Sequence, residues 1–314
     1  MPWKKNSANS YSTSFPASDA SLMSAMKLSP QAIDREMRKL PAQAGAADFL
    51  RGYLNTELQL LGLSVPIQRA RFKRGYPELE SLTVEQRAEF WLKVWSETNL
   101  YESMSQAILF FESWSKERVR LGRIGRLKRG EVHSPLWPYL IELVDRVDNW
   151  AHSDGLSSLI SAAVEEAPRE RFPILARWNQ DKRPWYRRQS IVSLHYYARQ
   201  RGKPLPTSKT LPLIRRLIHD EHFYVQRGVG WALRESYNAS PATTLKFLDR
   251  HIGELSAIAF SAATEKLTAK KKAALKKLRR ERRRRKKPAN IVREEFRLST
   301  KGTEGSFVRL SARR

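Results

Sequence analysis

The sequence predicts an all-α protein, and three observations carry that prediction. Apolar residues recur at three- and four-residue spacing along most of the chain. Ser-Pro pairs at Ser29-Pro30, Ser134-Pro135 and Ser240-Pro241 punctuate those runs as helix starts. No alternating β pattern of any length appears before residue 290. The expected helices come in pairs of roughly 40 residues, the spacing of a HEAT-like helical-repeat array. Stacked pairs of that kind form a solenoid whose concave groove is lined by the second helix of each pair. The repeat lies in element spacing, because the sequences of the pairs are not visibly alike.

Residues 1–28 are rich in Ser and Ala and lack periodicity, which reads as a flexible arm. Ser29 as N-cap and Pro30 at N1 open a helix through Ile33, Met37 and Leu40 that stops before Pro41. A second helix is expected from Ala46 to Leu61, closed by Gly62, with Phe49, Leu50, Tyr53, Leu58 and Leu61 on its apolar side. Val65-Pro66 starts a basic piece with Arg69, Arg71, Lys73 and Arg74. Thr83-Val84-Glu85-Gln86 is a near capping box for a helix through Phe90, Trp91, Val94 and Trp95. Asn99 to Glu102 opens the next, through Ala107, Ile108, Phe111 and Trp114. Trp91, Trp95, Phe110, Phe111 and Trp114 are expected in the core. Arg118 to Arg129 reads as a basic turn region, and Ser134-Pro135 starts a helix leading to Trp150.

Helical patterns then cover Leu156 to Ala163 and Arg169 to Trp178. Another, from Arg183-Pro184 through Tyr197, is closed by Gly202. Ser208 to Ile218 is amphipathic, with Pro212 in its first turn, and Glu221 to Tyr237 is the longest apolar helix of this region. Ser240-Pro241 opens one more. Ser256 to about Lys287 reads as one long helix that becomes purely basic, stopped by Pro288. Residues 289–314 remain unassigned. The organisation is therefore an arm over 1–28, a helical-repeat domain over 29–262 and a basic extension over 263–314.

Composition narrows the partners. The 314 residues carry a net charge of +26, which points to a polyanion, nucleic acid first and an anionic membrane surface second. Residues 266–287 hold 14 Lys/Arg and one acid, Glu281, so half of that charge is in one run. Truncating the chain near residue 262 is expected to weaken damaged and undamaged DNA binding alike. The absence of cysteine removes disulfides, thiolate zinc sites and Cys nucleophiles, and fits a reducing compartment. No apolar run approaches the roughly 18 residues of a membrane span. His219-Asp220-Glu221-His222 lacks an apparent third metal ligand, and His152 and His195 read as packing residues. No cofactor or metal is expected.

One constellation stands out in this basic background. Trp150 and Asp154 are four apart, hence on one helix face. Trp150 and Arg188 are 38 residues apart, and Arg188 and Trp231 are 43 apart, each separation matching one helix pair. Equivalent positions one repeat apart face the same groove, so these four residues can line one site. A plainer reading makes Trp150 a core residue and Asp154 the cap of a helix beginning at Gly155.

Three segments resemble the bacterial AlkD family of alkylpurine DNA glycosylases. They are Phe223 to Glu235 (FYVQRGVGWALRE), Trp185 to Val192 (WYRRQSIV), and Phe90-Trp91 with Trp95 and Tyr101-Glu102. The similarity covers about residues 45–250. The resemblance implies a HEAT-like solenoid that holds duplex DNA in an open groove, largely without base flipping. By position it implies that Asp154 is the catalytic aspartate, Trp150 and Trp231 the groove tryptophans, and Arg188 a phosphate-contacting arginine. Arg187, Trp185 and Arg227 lie in the same matching segments and are expected to contact DNA. The family usually reads Trp-Asp-x-x-Asp here, often after another Trp. This chain reads Trp150-Ala151-His152-Ser153-Asp154, without the second acid or the doublet.

The chemistry suits these residue types. An N3- or N7-alkylated purine is cationic and already a good leaving group. Losing it builds oxocarbenium character on the sugar, which a fixed carboxylate stabilises. Tryptophan faces attract the cationic base. Three function classes follow: a glycosylase for alkylated purines in double-stranded DNA, a catalytically silent binder of damaged or branched DNA, and a protein- or RNA-binding adaptor. The first is the expected one, acting as a monomer in the cytoplasm on nucleoid DNA.

Overall fold

The structure of the protein, a computed structural model, describes residues 28–123, 135–197 and 204–286. Every regular α element among them is helical: α1 (Pro30–Arg38), α2 (Ala46–Leu54), α3 (Val65–Lys73), α4 (Val84–Glu97), α5 (Tyr101–Arg123), α6 (Trp137–Glu142), α7 (Trp150–Glu166), α8 (Pro168–Trp178), α9 (Pro184–Val192), α10 (Thr207–Arg216), α11 (Phe223–Ala239), α12 (Pro241–His251), α13 (Ala257–Thr264) and α14 (Ala269–Lys286). Short 3-10 turns cover Pro77–Leu79 and Leu143–Arg146. No strand forms among the described residues, and one isolated parallel bridge joins Gln59 to Leu100.

Helix starts follow local chemistry. Ser29 accepts from the Ala32 N–H at 3.2 Å ahead of Pro30. Thr83 and Gln86 complete a capping box on α4. Ser256 accepts from the Ala259 N–H at 3.0 Å to open α13. Proline sits in the first two positions of α1, α3, α6, α8, α9 and α12, where its missing N–H costs nothing.

The array has two layers. α5, α7, α9, α11 and α13 are successive neighbours of one another and form the inner layer. α4, α6, α8 and α10 pack behind their following partners, and α12 packs on α10 and α11. Between the layers lie Phe90, Trp91, Trp95, Tyr139, Trp178 and Tyr186, each at most 2% exposed. Phe110 and Phe111 join this core and Trp114 packs against it, as expected. α11 and α13 approach so closely that a Cβ on Gly230 would stand 2.3 Å from the Ala259 carbonyl oxygen.

Several boundaries differ from expectation. The helix expected over 46–61 ends at Leu54, because Asn55 turns left-handed at φ 51°. The chain then runs extended, and Glu102 accepts from the N–H groups of Leu61, Gly62 and Leu63 at 2.9–3.2 Å. Phe49 and Tyr53 of α2 are 70% and 56% exposed, so the predicted apolar side of this helix is open. α5 extends to Arg123, and residues 124–134 of the expected basic turn lie outside the described residues. The expected helix from Ser134 to Trp150 is broken: Val147 is extended at ψ 122° and Asn149 starts a new helix. Pro212 lies inside α10. The long helix expected over 256–287 is two, separated by the turn after Thr264, so the boundary expected at 262 falls within α13. The arm over 1–27, the end of the 183–202 pattern and residues 287–314 lie outside the described residues.

Candidate functional site

The site forms where α7, α9 and α11 meet. α7 begins at Trp150, and its N-cap is Asn149, whose Oδ1 accepts from the His152 N–H at 2.9 Å. Asp154 is therefore a residue of the helix interior, and the capping role is ruled out. One helical turn separates it from Trp150.

Arg188 of α9 binds Asp154 directly. Its Nη2 donates to Asp154 Oδ1 at 2.6 Å, its Nε to Ser153 Oγ at 3.1 Å, and its Nη1 to the Tyr224 carbonyl at 3.1 Å. One guanidinium thus ties three neighbouring inner helices together. Ser153 passes the contact on, donating to Gln189 Oε1 at 3.0 Å. Gln189 in turn donates to Ser157 and Ser193 at 2.9 and 3.0 Å. The Arg188 side chain is 6% exposed and the Asp154 side chain 29%, so the cation is enclosed while the carboxylate opens to the groove. Asp154 Oδ2 has no partner among the described residues.

Charge on Asp154 is contested. Burial raises its carboxyl above the ordinary aspartate value, while Arg188, then Arg234 and Arg227, pull it back down. The basic field expected from the sequence is present, and desolvation works against it. The Asp154 charge is also felt by Tyr196, whose hydroxyl is raised mainly by burial and next by that carboxylate.

Aromatic rings flank the carboxylate. Trp150 Nε1 donates to the Tyr53 carbonyl at 3.1 Å, and its ring meets Tyr53 edge-on at 5.1 Å. Trp231 of α11 packs with Tyr196 at 5.2 Å and Tyr197 at 6.3 Å, and the Arg234 guanidinium lies 5.5 Å from its ring. Tyr197 is half exposed with φ 48°, a conformation uncommon for a residue with a side chain. Arg227 is exposed on α11, with its guanidinium 6.0 Å from the Phe223 ring.

The expected residues divide into two groups. Asp154, Arg188, Trp150, Trp231 and Arg227 gather around the groove through α7, α9 and α11. Arg188 differs from the others in geometry: its guanidinium is enclosed and bonded on three sides, with Asp154 among its partners. Trp185 stands further off, stacked on Tyr224 at 5.1 Å, whose hydroxyl donates to the Leu54 carbonyl at 3.3 Å. Arg187 turns away altogether. It donates to Asp220 at 2.5 and 3.3 Å and to the carbonyls of Asp181 and Lys182, bracing two turns. Its fork is taken by Asp220 because consecutive residues on a helix point about 100° apart. Sequence reasoning missed Ser153, Tyr196, Tyr197 and Arg234; the Tyr196-Tyr197 doublet two turns after Arg188 was the available signal.

His152 and His195 are buried packing residues, as expected. His152 is buried and its imidazole is lowered to about 3 by desolvation; the ring stacks on Tyr101 at 4.4 Å. No group of three metal-ligating residues occurs among the described residues. No described helix is long and apolar enough to cross a membrane.

The site is thus a carboxylate held by an enclosed arginine where three helices of an all-α repeat array meet. Residues 33–267 match the DNA alkylation repair enzyme family, and the chain belongs to it. Its role is therefore in DNA alkylation repair. The fold is shared with a predicted DNA alkylation repair enzyme from Enterococcus faecalis, 16% identical, with a TM-score of 0.55 over 74% of this chain and 99% of that one. AlkD2 from Streptococcus mutans is 18% identical with a TM-score of 0.41 over 74% of this chain and 97% of that one. The smu.31 protein of Streptococcus mutans UA159 is 18% identical with a TM-score of 0.42 over 80% and 96%. None of the curated proteins compared with the chain matches it.

Proposed function

We propose that this protein is a DNA glycosylase that excises N3- and N7-alkylated purines from double-stranded DNA. The observation that supports this most is the Asp154 carboxylate, held by Arg188 at 2.6 Å yet open to a groove flanked by Trp150 and Trp231. In the reaction the C1′–N9 bond breaks and its electron pair leaves with the base, neutralising the base's positive charge. The deoxyribose gains oxocarbenium character, and the ionised Asp154 stabilises it. Water adds at C1′ and loses its proton to the carboxylate or solvent. No general acid is needed, because the leaving base is already cationic. Trp150 and Trp231 offer faces to that cation, worth about 0.5–2 kcal/mol each. Arg227, exposed on α11, supplies charge for the phosphates, while Arg234 is paired with Glu235 and Glu265 at 3.2 and 2.9 Å. The open groove suits a lesion held without full flipping, by a monomer needing neither cofactor nor metal.

Asp154→Asn tests this reading. It keeps the shape and an acceptor for Arg188 while removing the charge. Single-turnover release of 7-methylguanine from duplex DNA should fall by about a hundredfold or more, roughly 2.7 kcal/mol. Duplex affinity should hold or tighten, since a negative group leaves a polyanion site. Equal rates in both proteins would reject the catalytic role. A wild type that binds methylated duplex without releasing base would favour the silent binder, the reading suggested by Ala151, which stands where the family has its second acid.

A further inference from the structure

The most cationic helix among the described residues is α14, with 12 Lys/Arg and one acid in 18 residues. One stripe fastens it to the fold. Leu275 and Leu278 pack against the core. Arg279 donates to the Leu255 carbonyl at 2.9 Å, and Arg283 to the carbonyls of Gly253 and Leu255 at 3.2 and 3.1 Å. A Cβ on Gly253 would stand 2.8 Å from the Arg282 Cβ, so helix and turn are nearly in backbone contact. At its start, Lys271 Nζ donates to Tyr237 Oη at 2.8 Å. Tyr237 belongs to α11, the helix that carries Arg227, Trp231 and Arg234.

The opposite stripe is Lys270, Lys277, Arg280 and Arg284, all exposed and without an ion pair among the described residues. A solenoid end needs a polar cap, but mixed charges would serve. Like charges a turn apart destabilise a helix, so a run of cations has to be explained by something that neutralises them. Both leucines of the stripe face the protein, which leaves no apolar face to lie in a lipid surface. A phosphate backbone remains.

We infer that the outer stripe of α14 is a second phosphate-binding site, fixed in position relative to Asp154, and that a duplex held in the groove continues along it. The choice of DNA rests on the proposed function above. At 1.5 Å per residue the helix is about 27 Å long, the length of about eight base pairs. A duplex that runs past the groove meets more of the stripe than one that ends at it.

The test compares the full-length protein with K270Q/K277Q/R280Q/R284Q. Gln is a good helix former, and the fastening stripe is untouched. Fluorescence anisotropy on duplexes of about 10 and 24 base pairs, at several salt concentrations, reads the outcome. The variant should lose tenfold or more on the long duplex and clearly less on the short one. Its log–log salt slope there should be shallower by about 2–4. The same length dependence in both proteins would overturn the inference, and so would an equal loss on both duplexes. Unchanged duplex binding with lost binding to phosphatidylglycerol vesicles would make the stripe a lipid surface instead. Release of 7-methylguanine from saturated short duplex is read in parallel. Its absence in both proteins would sink the glycosylase reading, whereas normal release with a failed length test sinks only the cap.

Discussion

Arg188 points its Nε, Nη1 and Nη2 at groups from two other helices, and only one of the three is visible in a sequence pattern. Asp154 and Arg188 could be paired from repeat spacing. Ser153 as a second acceptor and the Tyr224 carbonyl as a third could not, because a backbone acceptor leaves no residue-type signature. Gly228 lies against α9 at this point, where a Cβ would stand 3.3 Å from Val192 Cγ2 and 3.4 Å from Arg188 Cγ and Nη1. The arrangement sets a direction for the pH profile. Burial raises the Asp154 carboxyl and Arg188 is the first influence that lowers it. The proposed reaction needs the ionised form, so its rate should be lost as pH falls through that raised value. Arg188→Gln removes the opposing charge and should move the acid limb of base release to higher pH, with Arg188→Lys between the two. An arginine that only gripped phosphate would instead weaken binding in a salt-dependent way. An acid limb that stays put in both variants would therefore assign Arg188 to DNA, away from Asp154.

Several helix starts were legible because caps are local: Ser29, Thr83 with Gln86, and the prolines after Arg183 and Ser240 each act within one turn. Helix ends and coverage were not. Gly62 looked like the end of α2, but Asn55 adopts the left-handed conformation seven residues earlier. The periodicity of Phe49 and Tyr53 reports a face, and nothing in it says what covers that face. The close crossing of α11 and α13 was invisible for a related reason. Gly230 looks like a weak point in a helix, where Ala would gain about 1 kcal/mol at an exposed site. Here its Cβ would meet the Ala259 carbonyl oxygen at 2.3 Å and the Ala262 Cβ at 2.7 Å. Gly230→Ala should therefore destabilise by about 1–3 kcal/mol through overpacking, read from the urea midpoint at unchanged slope. A gain in stability would mean that the two helices part easily. The crossing also bears on the basic extension: a cut near 262 would divide α13 and expose Leu255 and Phe260, confounding affinity with folding.

At the scale of the whole molecule the net charge of +26 is compatible with folding because, among the described residues, the buried arginines Arg171 and Arg188 are paired with Glu166 and Asp154. Where histidines enter the core they are held neutral. Asn149 is oriented by the His152 N–H, which donates to its Oδ1, so its Nδ2 faces His152 Nδ1 at 3.1 Å. That ring nitrogen must accept, which leaves Nε2–H to donate to Ser105 Oγ at 3.1 Å. Protonation would set two donors against each other, in a site that is desolvated as well. Burial lowers His152 to about 3 and His195, whose Nε2 meets Thr210 at 2.9 Å, to about 4. In the unfolded chain both titrate near 6.5. Above that value neither state binds the proton and stability is flat with respect to these groups. Below it the unfolded state binds two protons that the folded state refuses, so stability falls as pH falls. Each histidine contributes about 1.4 kcal/mol per pH unit, until the pH reaches its folded value. Between roughly pH 6 and 4 the two together should remove about 2–3 kcal/mol per unit, a large share of a typical 5–15 kcal/mol. Urea midpoints from pH 8 to pH 4 read this directly. His152→Gln and His195→Gln should each flatten the slope by about half even where they lower the plateau, since the slope reports the proton count alone. A wild-type slope that the two substitutions leave unchanged would place the acid sensitivity in the carboxylates.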